Sequence, residues 1–326
     1  MYRILLTSMV AAGAVIAPAP ARAADTTTSL TGAQMYAALK GVAGTTAAAE
    51  LAGFGGDYRM SVTEDGATAT GTGKFAVDPD HGLGYVTTTG AVTSGPASFY
   101  AAAGRGEYLS LTGTGPAAAK MAGHPSATYS FQPDPALTLD AWLEGVPVPS
   151  GLIGGDARHP GTKTVHDDGT TDYTYTDADH ATFVFTTSAT GLFGAVEVTQ
   201  GTDRASLTFD YGPQTVTLPP DSSVIAKALL DKATAYLDMA GSVRRAALAG
   251  AATATAKSGG RAVRASTIRT WARSEARTVN DELGFKVVAV TDIKGGVHVS
   301  AKNPFTGATV TWSVKAVGKR AVATKG

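Results

Sequence analysis

The sequence predicts an α+β protein, with an antiparallel sheet in the N-terminal two thirds and a smaller helical and β region after it. Two observations predict this fold. From Asp57 to Tyr211, short stretches of alternating apolar and polar residues are separated by turn residues, which is typical of an antiparallel sheet with one buried face. After Pro219-Pro220, apolar residues recur every three or four positions over two long stretches, as they do in amphipathic helices.

The first 23 residues have the pattern of a secretory signal peptide. Arg3 precedes an apolar stretch, Ile4 to Ile16, and Ala21-Arg22-Ala23 supplies the small residues of a cleavage site. An uncleaved membrane anchor is the alternative, but the apolar stretch is shorter than the roughly 20 residues that span a bilayer. We therefore predict a signal peptide over 1–23, an acidic sheet domain over 24–220 and a basic domain over 221–326.

The charge of the chain is balanced overall but divided unequally along it. There are 27 Lys and Arg and 27 Asp and Glu residues. From Ala24 to Pro220 we count 20 acids and 8 bases, and from Asp221 to Gly326 we count 7 acids and 17 bases. The balanced net charge argues against a strongly basic nucleic-acid binder, and the asymmetry indicates two regions with different surroundings or partners. Cysteine is absent, which excludes disulfides and a lipidated cysteine.

The elements of the acidic region follow from its periodicity and turn residues. A helix is predicted first, from about Thr31 to Val42, where apolar residues fall at helical spacing. Asp65-Gly66 is a two-residue hairpin signal between the first two strands. The stretch Thr112 to Gly161 is rich in Pro, Gly and Ala and contains a short helix near Leu137 to Leu143. The predicted strands are Tyr58 to Val62, Ala69 to Val77, Leu83 to Thr89, Ser98 to Ala103, Glu107 to Leu111, Thr164 to His166, Tyr173 to Tyr175, Ala181 to Thr187, Leu192 to Thr199 and Arg204 to Tyr211.

The basic region is predicted as two helices and a three-stranded antiparallel sheet. Ser222 or Ser223 can cap a long helix, and Gly284 lies where a left-handed cap would end the second. The tail from Gly318 is predicted to fray. The predicted helices are Val224 to Thr255 and Thr267 to Leu283, and the strands are Phe285 to Thr291, Val297 to Lys302 and Ala308 to Ala316.

No motif in the sequence names a reaction, and we predict no enzyme activity, catalytic residue or cofactor. Gly71-Thr72-Gly73-Lys74 lacks the spacing of a phosphate-binding loop, and there is no Gly-x-Ser-x-Gly motif. A group of acids and histidines could supply oxygen and nitrogen ligands to a cation, but Asp-rich turns and solvated strand edges explain these residues without a metal. We therefore predict no metal site. The group consists of His159, His166, Asp167, Asp168, Asp172, Asp177, Asp179 and His180.

Five arginines in the basic region form a candidate binding surface, which we call the arginine ridge. Arg269, Arg273 and Arg277 recur every four residues on the second helix, and Arg261 and Arg264 precede it. Such a ridge could bind an anion, such as a lipid headgroup, a wall polymer or the acidic domain itself. An ordinary solvated helix face is the equally weighted alternative.

The end of the acidic region resembles a known family. A strand from Phe183 to Thr187 is followed by Thr190-Gly191-Leu192, and Phe209 to Thr217 runs into Leu218-Pro219-Pro220. This pattern, with Gly106-Glu107-Tyr108-Leu109 earlier, resembles the LolA/LppX-type half-barrel carriers of exported lipids and lipoproteins. The resemblance covers about Ala24 to Pro220. This chain lacks the lipidated cysteine of the mycobacterial-type members, and its basic region is additional to the family.

The resemblance implies a curved antiparallel sheet, a half-barrel, wrapped around a helix and leaving an apolar cavity for acyl chains. It implies a secreted or cell-envelope carrier of lipid or another hydrophobic ligand. The alternative is a surface interaction protein whose basic domain binds wall polymer, anionic lipid or a protein partner. The residues that we predict to line the cavity, each of which could instead be plain core, are Tyr58, Met60, Phe75, Tyr85, Phe99, Phe183, Phe185 and Phe209.

Overall fold

The computed structural model describes residues 25–91, 96–153 and 158–326. The predicted signal peptide lies outside the described residues. The fold is α+β, as predicted, and the chain divides into two compact units. The first unit contains residues 25–47 and Pro149–Gly201, and the second contains Ala48–Val148 and Thr202–Gly326.

The helices and strands are numbered in chain order. The helices are α1 (Gly32–Glu50), α2 (Gly115–Met121), α3 (Leu139–Leu143), α4 (Lys227–Leu237), α5 (Met239–Lys257) and α6 (Ala265–Leu283). The strands are β1 (Thr26–Leu30), β2 (Phe54–Glu64), β3 (Ala67–Asp78), β4 (Leu83–Gly90), β5 (Ala97–Ala102), β6 (Gly106–Ser110), β7 (Tyr129–Pro133), β8 (Gly161–Val165), β9 (Thr171–Thr176), β10 (Thr182–Thr187), β11 (Phe193–Gln200), β12 (Asp203–Tyr211), β13 (Val224–Ala226), β14 (Ala289–Ile293), β15 (Gly296–Lys302), β16 (Thr309–Val317) and β17 (Arg320–Lys325).

In the first unit, helix α1 packs on antiparallel strands in the order β1-β8-β9-β10-β11. The helix begins with a capping box, in which the Thr31 amide donates to Gln34 Oε1 at 2.9 Å and the Gln34 amide donates to Thr31 Oγ1 at 3.4 Å. Met35 of α1 is fully buried against Gly161 of β8. The Phe193 amide of β11 donates to Thr46 Oγ1 at 3.2 Å. The helix therefore lies across the strands.

The sheet of the second unit has the strand order β12-β2-β3-β4-β5-β6-β7-β13. All pairs are antiparallel except β13 on β7. The predicted hairpin at Asp65-Gly66 is confirmed: both residues have positive φ, 50° and 79°, as a two-residue turn between β2 and β3 requires. This meander forms the predicted curved antiparallel sheet.

The register of these strands places a defined set of side chains on one face, which we call the cavity face. One row across it contains Phe54, Val77, Gly84 and Ala101, all of them buried. The next row contains Gly56, Phe75, Val86, Phe99 and Leu109, and the row after it contains Tyr58, Gly73, Thr88 and Ala97. Because side chains alternate along a strand, the residues between these point to the opposite, outer face.

The region predicted as one long helix consists of strand β13 and two helices. Val224–Ala226 pairs with β7, and α4 packs on α2 in a core that includes Ala118 and Leu230, together with Ile225 of β13. The apolar stripe continues past Leu237, but the chain breaks at Asp238, whose side chain accepts a hydrogen bond from the Gly241 amide at 3.0 Å and so caps α5. The segment after Pro220 therefore packs partly with the large sheet.

The C-terminal sheet has four strands, in the order β14-β15-β16-β17, rather than the three predicted. The additional strand β17 is the tail that was predicted to fray. It pairs with β16, and the Ala321 amide donates to Thr255 Oγ1 at 2.9 Å. Helices α5 and α6 cover one face of this sheet with a small-residue core that includes Val243, Ile268 and Val299.

Candidate functional site

A cavity of about 770 Å³ lies on the cavity face of the second unit. It lies between strands β2, β4–β6 and β12 on one side and the segment Leu137–Pro147 on the other, and it is open to solvent. Its volume falls in the range of about 300–1,000 Å³ that is usual for ligand sites. The lining residues are Tyr58, Arg59, Met60, Val86, Thr88, Phe99, Tyr100, Glu107, Tyr108, Leu109, Leu137, Ala141, Trp142, Gly145, Val146, Pro147, Ala205, Ser206 and Leu207.

Glycines in the strands make room for the aromatic rings of the site. A Cβ atom at Gly84 would overlap the indole of Trp142, and a Cβ atom at Gly73 would overlap the ring of Tyr58. Gly56 stands in the same relation to Phe75. Glycine within a strand often marks such a close approach. The absence of a side chain at these three glycines lets the rings approach the strand backbone closely.

The segment that covers the cavity is fixed to the end of the sheet. The Gly104 amide donates to the Leu137 carbonyl at 2.8 Å, and the Asp134 amide donates to the Arg105 carbonyl at 3.0 Å. Thr138 then caps α3, because its Oγ1 accepts from the Ala141 amide at 3.1 Å. This short helix carries Trp142 over Gly84 and so forms one wall of the cavity.

Three of the residues predicted to line a cavity, Tyr58, Met60 and Phe99, line this one. Burial raises the pKa of Tyr58, whose hydroxyl donates to the Thr87 carbonyl at 3.4 Å. Phe99 is 38% exposed, although it is a large apolar side chain in a sheet. Exposed apolar side chains that border an apolar groove are typical of hydrophobic ligand sites.

Phe75 and Phe209 lie on the same face but in its closed part. They pack edge to face with ring centroids 6.1 Å apart, and Phe54 packs on Phe75 at 6.3 Å. Phe75 is 1% exposed and Phe209 is 7% exposed. These two rings form packed core beside the cavity.

The other predicted residues lie elsewhere. Tyr85 is on the outer face, where its ring centroid lies 5.9 Å from that of Tyr100. The ring of Tyr100 packs in turn on Tyr129. Burial and the hydrogen bond with Tyr129 raise the pKa of Tyr100 to about 12. Phe183 and Phe185 belong to the first unit, where they stack with Tyr175 of the neighbouring strand.

Sequence reasoning missed the wall opposite the sheet. Trp142 and Val146 lie in the segment rich in Pro, Gly and Ala, where no strand pattern marks them. One signal could have found them: Gly84 interrupts an alternating strand, and such a glycine calls for a partner above it. Glu107 was noted only for its family pattern.

The arginine ridge divides into paired and unpaired members. Arg269 and Arg273 both contact Asp292, with N–O distances of 3.4 Å and 2.7 Å. Arg261, Arg264 and Arg277 are exposed, and their guanidinium groups have no partner among the described residues. Asp292 therefore neutralises part of the ridge and leaves three arginines available.

The acids and histidines of the first unit interact mainly with one another and with turn backbone. His166 bridges Asp25 at 3.0 Å and Asp172 at 3.1 Å. Within residues 25–91, 96–153 and 158–326, no group of three or more such side chains is placed to hold a metal ion. In the same ranges, no helix combines the length and apolar character needed to cross a bilayer.

Comparison with known proteins gives likenesses of fold at low sequence identity. No protein-family model and no curated protein matches the chain. A solved structure of an uncharacterized conserved protein from Thermus thermophilus is 12% identical, with 58% of this chain and 98% of that chain covered and a TM-score of 0.30. A LolA superfamily protein from Nitrosomonas europaea is 9% identical, with coverage of 58% and 96% and a TM-score of 0.25.

A DUF1329 family protein from Desulfovibrio piger is also 9% identical, with coverage of 56% and 95% and a TM-score of 0.25. The sequence resemblance of residues 24–220 is to the same superfamily as the Nitrosomonas europaea protein.

Proposed function

We propose that this protein is a non-enzymatic binder or carrier of a lipid or another hydrophobic ligand, which it holds in the cavity of the second unit. The observation that carries the proposal is an apolar cavity of about 770 Å³ between α3 and a sheet face in which glycines leave room for aromatic rings. Phe99, Trp142 and Leu207 line it, and Phe99 remains 38% exposed. An open apolar cavity of this size gains free energy when hydrocarbon fills it.

The energetics favour a ligand with an extended apolar chain. Each methylene transferred from water contributes about 0.8 kcal/mol, so ten methylenes would contribute about 8 kcal/mol. This gain is comparable with the cost of about 4–15 kcal/mol for immobilising a ligand. A short apolar molecule would therefore bind weakly, whereas for a ligand with a long acyl chain the gain from burial would exceed the cost of immobilisation.

Native mass spectrometry after gentle purification tests the proposal, together with saturable binding of the fluorescent probe N-phenyl-1-naphthylamine. We expect co-purified lipid and probe binding in the wild-type protein. Ala205→Trp should reduce both, because Ala205 lines the cavity and an indole there occupies it. Thr208→Trp, on the exposed face of the same strand, is the matched control. Repeated absence of both lipid and probe binding from the folded wild-type protein would overturn the proposal.

We also propose that the protein acts outside the cytoplasm, in the secreted or cell-envelope space. The support is the signal-peptide pattern of residues 1–23. N-terminal sequencing of the protein from its native host should find Ala24 first. A mature chain that begins at Met1 would contradict it.

A second function is favoured by the unpaired arginines: docking of the basic region on an anionic surface. Vesicles containing phosphatidylglycerol should bind the wild-type protein, and replacing Arg261, Arg264 and Arg277 with Gln should weaken that binding. Removing three cations from the acidic region by Lys40→Gln, Lys120→Gln and Arg204→Gln is the control. Equal loss in both triple variants would mean that net charge alone matters and would eliminate the ridge as a site.

A further inference from the structure

Glu107 places a negative charge on the cavity face. In the register of β5, β6 and β7, Glu107 opposes Ala101 and Gln132, and it shares its face with Leu109 on its own strand. The other charged residue that borders the cavity, Arg59, alternates with Tyr58 and Met60 and so belongs to the outer face. Glu107 is therefore the charged side chain that the strand register directs into the cavity.

No described residue neutralises this carboxylate. Among the described residues, no hydrogen bond or ion pair reaches the Glu107 side chain. Arg105, two positions earlier, instead donates to the hydroxyl of Tyr108, a residue of the outer face, at 3.2 Å. Glu107 is only half-buried, so water can solvate it while the cavity is open.

A purely hydrocarbon ligand would make this carboxylate costly. Filling the cavity removes water from its walls, and a charge that loses its water without gaining a partner is strongly destabilised. The neighbouring Ala101 and Val146 are buried and apolar, and the Gln132 amide opposite Glu107 carries no charge, so none of these neighbours supplies a cation in place of the lost water. A ligand that carries its own cation removes the penalty and adds a charge-assisted hydrogen bond.

We propose that the cavity selects amphiphiles in which an apolar chain carries a protonated amine, and that Glu107 accepts the hydrogen bonds of that amine. The inference rests on the proposed function, since it names the class of ligand that the same cavity takes. The apolar chain lies along Phe99, Leu109 and Leu207, and the amine lies at the α3 end of the cavity face beside Ala101.

Displacement of N-phenyl-1-naphthylamine by three single-chain amphiphiles tests the inference: hexadecylamine, hexadecanol and hexadecanoate at pH 7. We expect the wild-type protein to bind the amine at least about tenfold more tightly than the alcohol, because a charge-assisted hydrogen bond contributes more than a neutral one. Glu107→Gln should abolish this preference and leave alcohol binding equal or stronger. Glu144→Gln removes an exposed carboxylate that does not line the cavity and should keep the preference.

The outcomes separate this inference from the proposed function. If the wild-type protein binds all three amphiphiles with equal affinity, or if Glu107→Gln keeps the amine preference, Glu107 does not select the ligand, while hydrophobic binding stands. If Glu144→Gln also loses the preference for the amine over the alcohol, the preference depends on the net charge of the protein and not on Glu107, and the inference fails. If none of the amphiphiles displaces the probe from any variant, the lipid-binding proposal itself fails. Matching thermal unfolding curves of the variants establish that each comparison is between folded proteins.

Discussion

Phe75 and Phe99 occupy the same row of the cavity face, yet their side chains have opposite roles. Phe75 is enclosed by Phe54 and Phe209, whereas Phe99, two strands further along the same row, lines the cavity. Residue type and strand position do not distinguish them. The two rings differ in exposure because aromatic rings pack against Phe75 whereas the cavity borders Phe99. Burial in the folded protein therefore decides which ring belongs to the core and which can contact a ligand.

This contrast predicts opposite effects of the same substitution. Phe75→Ala should lower the free energy of unfolding by about 3–5 kcal/mol, as removal of a fully buried ring usually does. Phe99→Ala should cost much less stability but weaken probe binding. Chemical denaturation and fluorescence titration of both variants measure the two effects. A large stability loss in Phe99→Ala with unchanged probe binding would contradict the assignment of Phe99 to the site.

The close approach of Trp142 to Gly84 predicts how a single added methyl group affects the covering segment. Gly84→Ala should displace Trp142, because the added methyl would overlap the indole, and overpacking of this kind typically costs about 1–3 kcal/mol. Gly41→Ala, in helix α1 with nothing within 4 Å of its added Cβ, should instead stabilise by up to about 1 kcal/mol. Thermal unfolding and Trp142 fluorescence check this pair. An unchanged Trp142 emission in Gly84→Ala would mean that the indole does not rest on this glycine.

Sequence periodicity could identify Tyr58, Met60 and Phe99, because they alternate on predicted strands. It could not identify Trp142 or the depth of Phe75, because both depend on a covering segment that has no regular pattern. Glu107 occupies an apolar position of its strand, and such a violation of the alternation is a signal that could have been read from the sequence.

Among the elements, strand β1 is attached through a titratable contact as well as through its pairing with β8. Asp25 precedes the strand, and its carboxylate contacts Nδ1 of His166 while Asp172 contacts Nε2. These hydrogen bonds, that of Asp172 foremost, raise the pKa of His166 above its ordinary value of 6.5. The attachment of this edge strand should therefore depend on pH.

The sign of this dependence follows from the raised pKa. Charged His166 contributes stability that is fully present below the unfolded pKa of about 6.5 and is lost as pH rises through the higher folded pKa. We expect hydrogen-exchange protection factors in β1 to be larger at pH 5.5 than at pH 8.5, and His166→Gln should remove the difference. His180→Asn, at an exposed turn, should not. Equal protection at both pH values in the wild-type protein would show that His166 does not hold the strand.

Elements whose ends are determined by local residues could be predicted from the sequence, and elements that depend on distant contacts could not. The β2–β3 hairpin could be predicted, because Asp65-Gly66 itself favours the positive φ angles of a two-residue turn. The break at Asp238 could not, because the apolar stripe runs through it and Asp also occurs inside helices. Val224–Ala226 forms a strand only because β7 offers an edge, and β17 forms only because β16 and Thr255 hold it.

At the scale of the whole molecule, the net charge of zero conceals two regions of opposite sign. Residues 24–220 contain the carboxylate of the cavity, and residues 221–326 contain the unpaired arginines. The proposed amine selectivity acts at short range inside a cavity, while vesicle docking acts between exposed charges. Salt screens the second far more than the first, since the Debye length falls from about 10 Å at 0.1 M to about 3 Å at 1 M.

Because of this difference, we expect salt to weaken vesicle binding much more than it weakens ligand binding in the cavity. Raising NaCl from 0.1 M to 1 M should largely abolish binding to phosphatidylglycerol vesicles, while hexadecylamine should still displace the probe. Vesicle sedimentation and probe fluorescence on the same sample measure both. Vesicle binding that persists in 1 M salt would indicate apolar insertion and would contradict docking through the arginine ridge.

The glycines of the cavity face also have a consequence for how ligand range could change over evolution. Each of them holds space open by lacking a side chain, while the strand hydrogen bonds run through its backbone. Gly145, which lines the cavity from the covering segment, has room for a side chain, because a Cβ atom there would meet only the Trp142 carbonyl oxygen, at 3.7 Å. A single substitution at that position could shorten the accessible chain length without altering strand pairing. Ligand length in this fold is thus adjustable in steps of one methyl or one isobutyl group, on an unchanged scaffold.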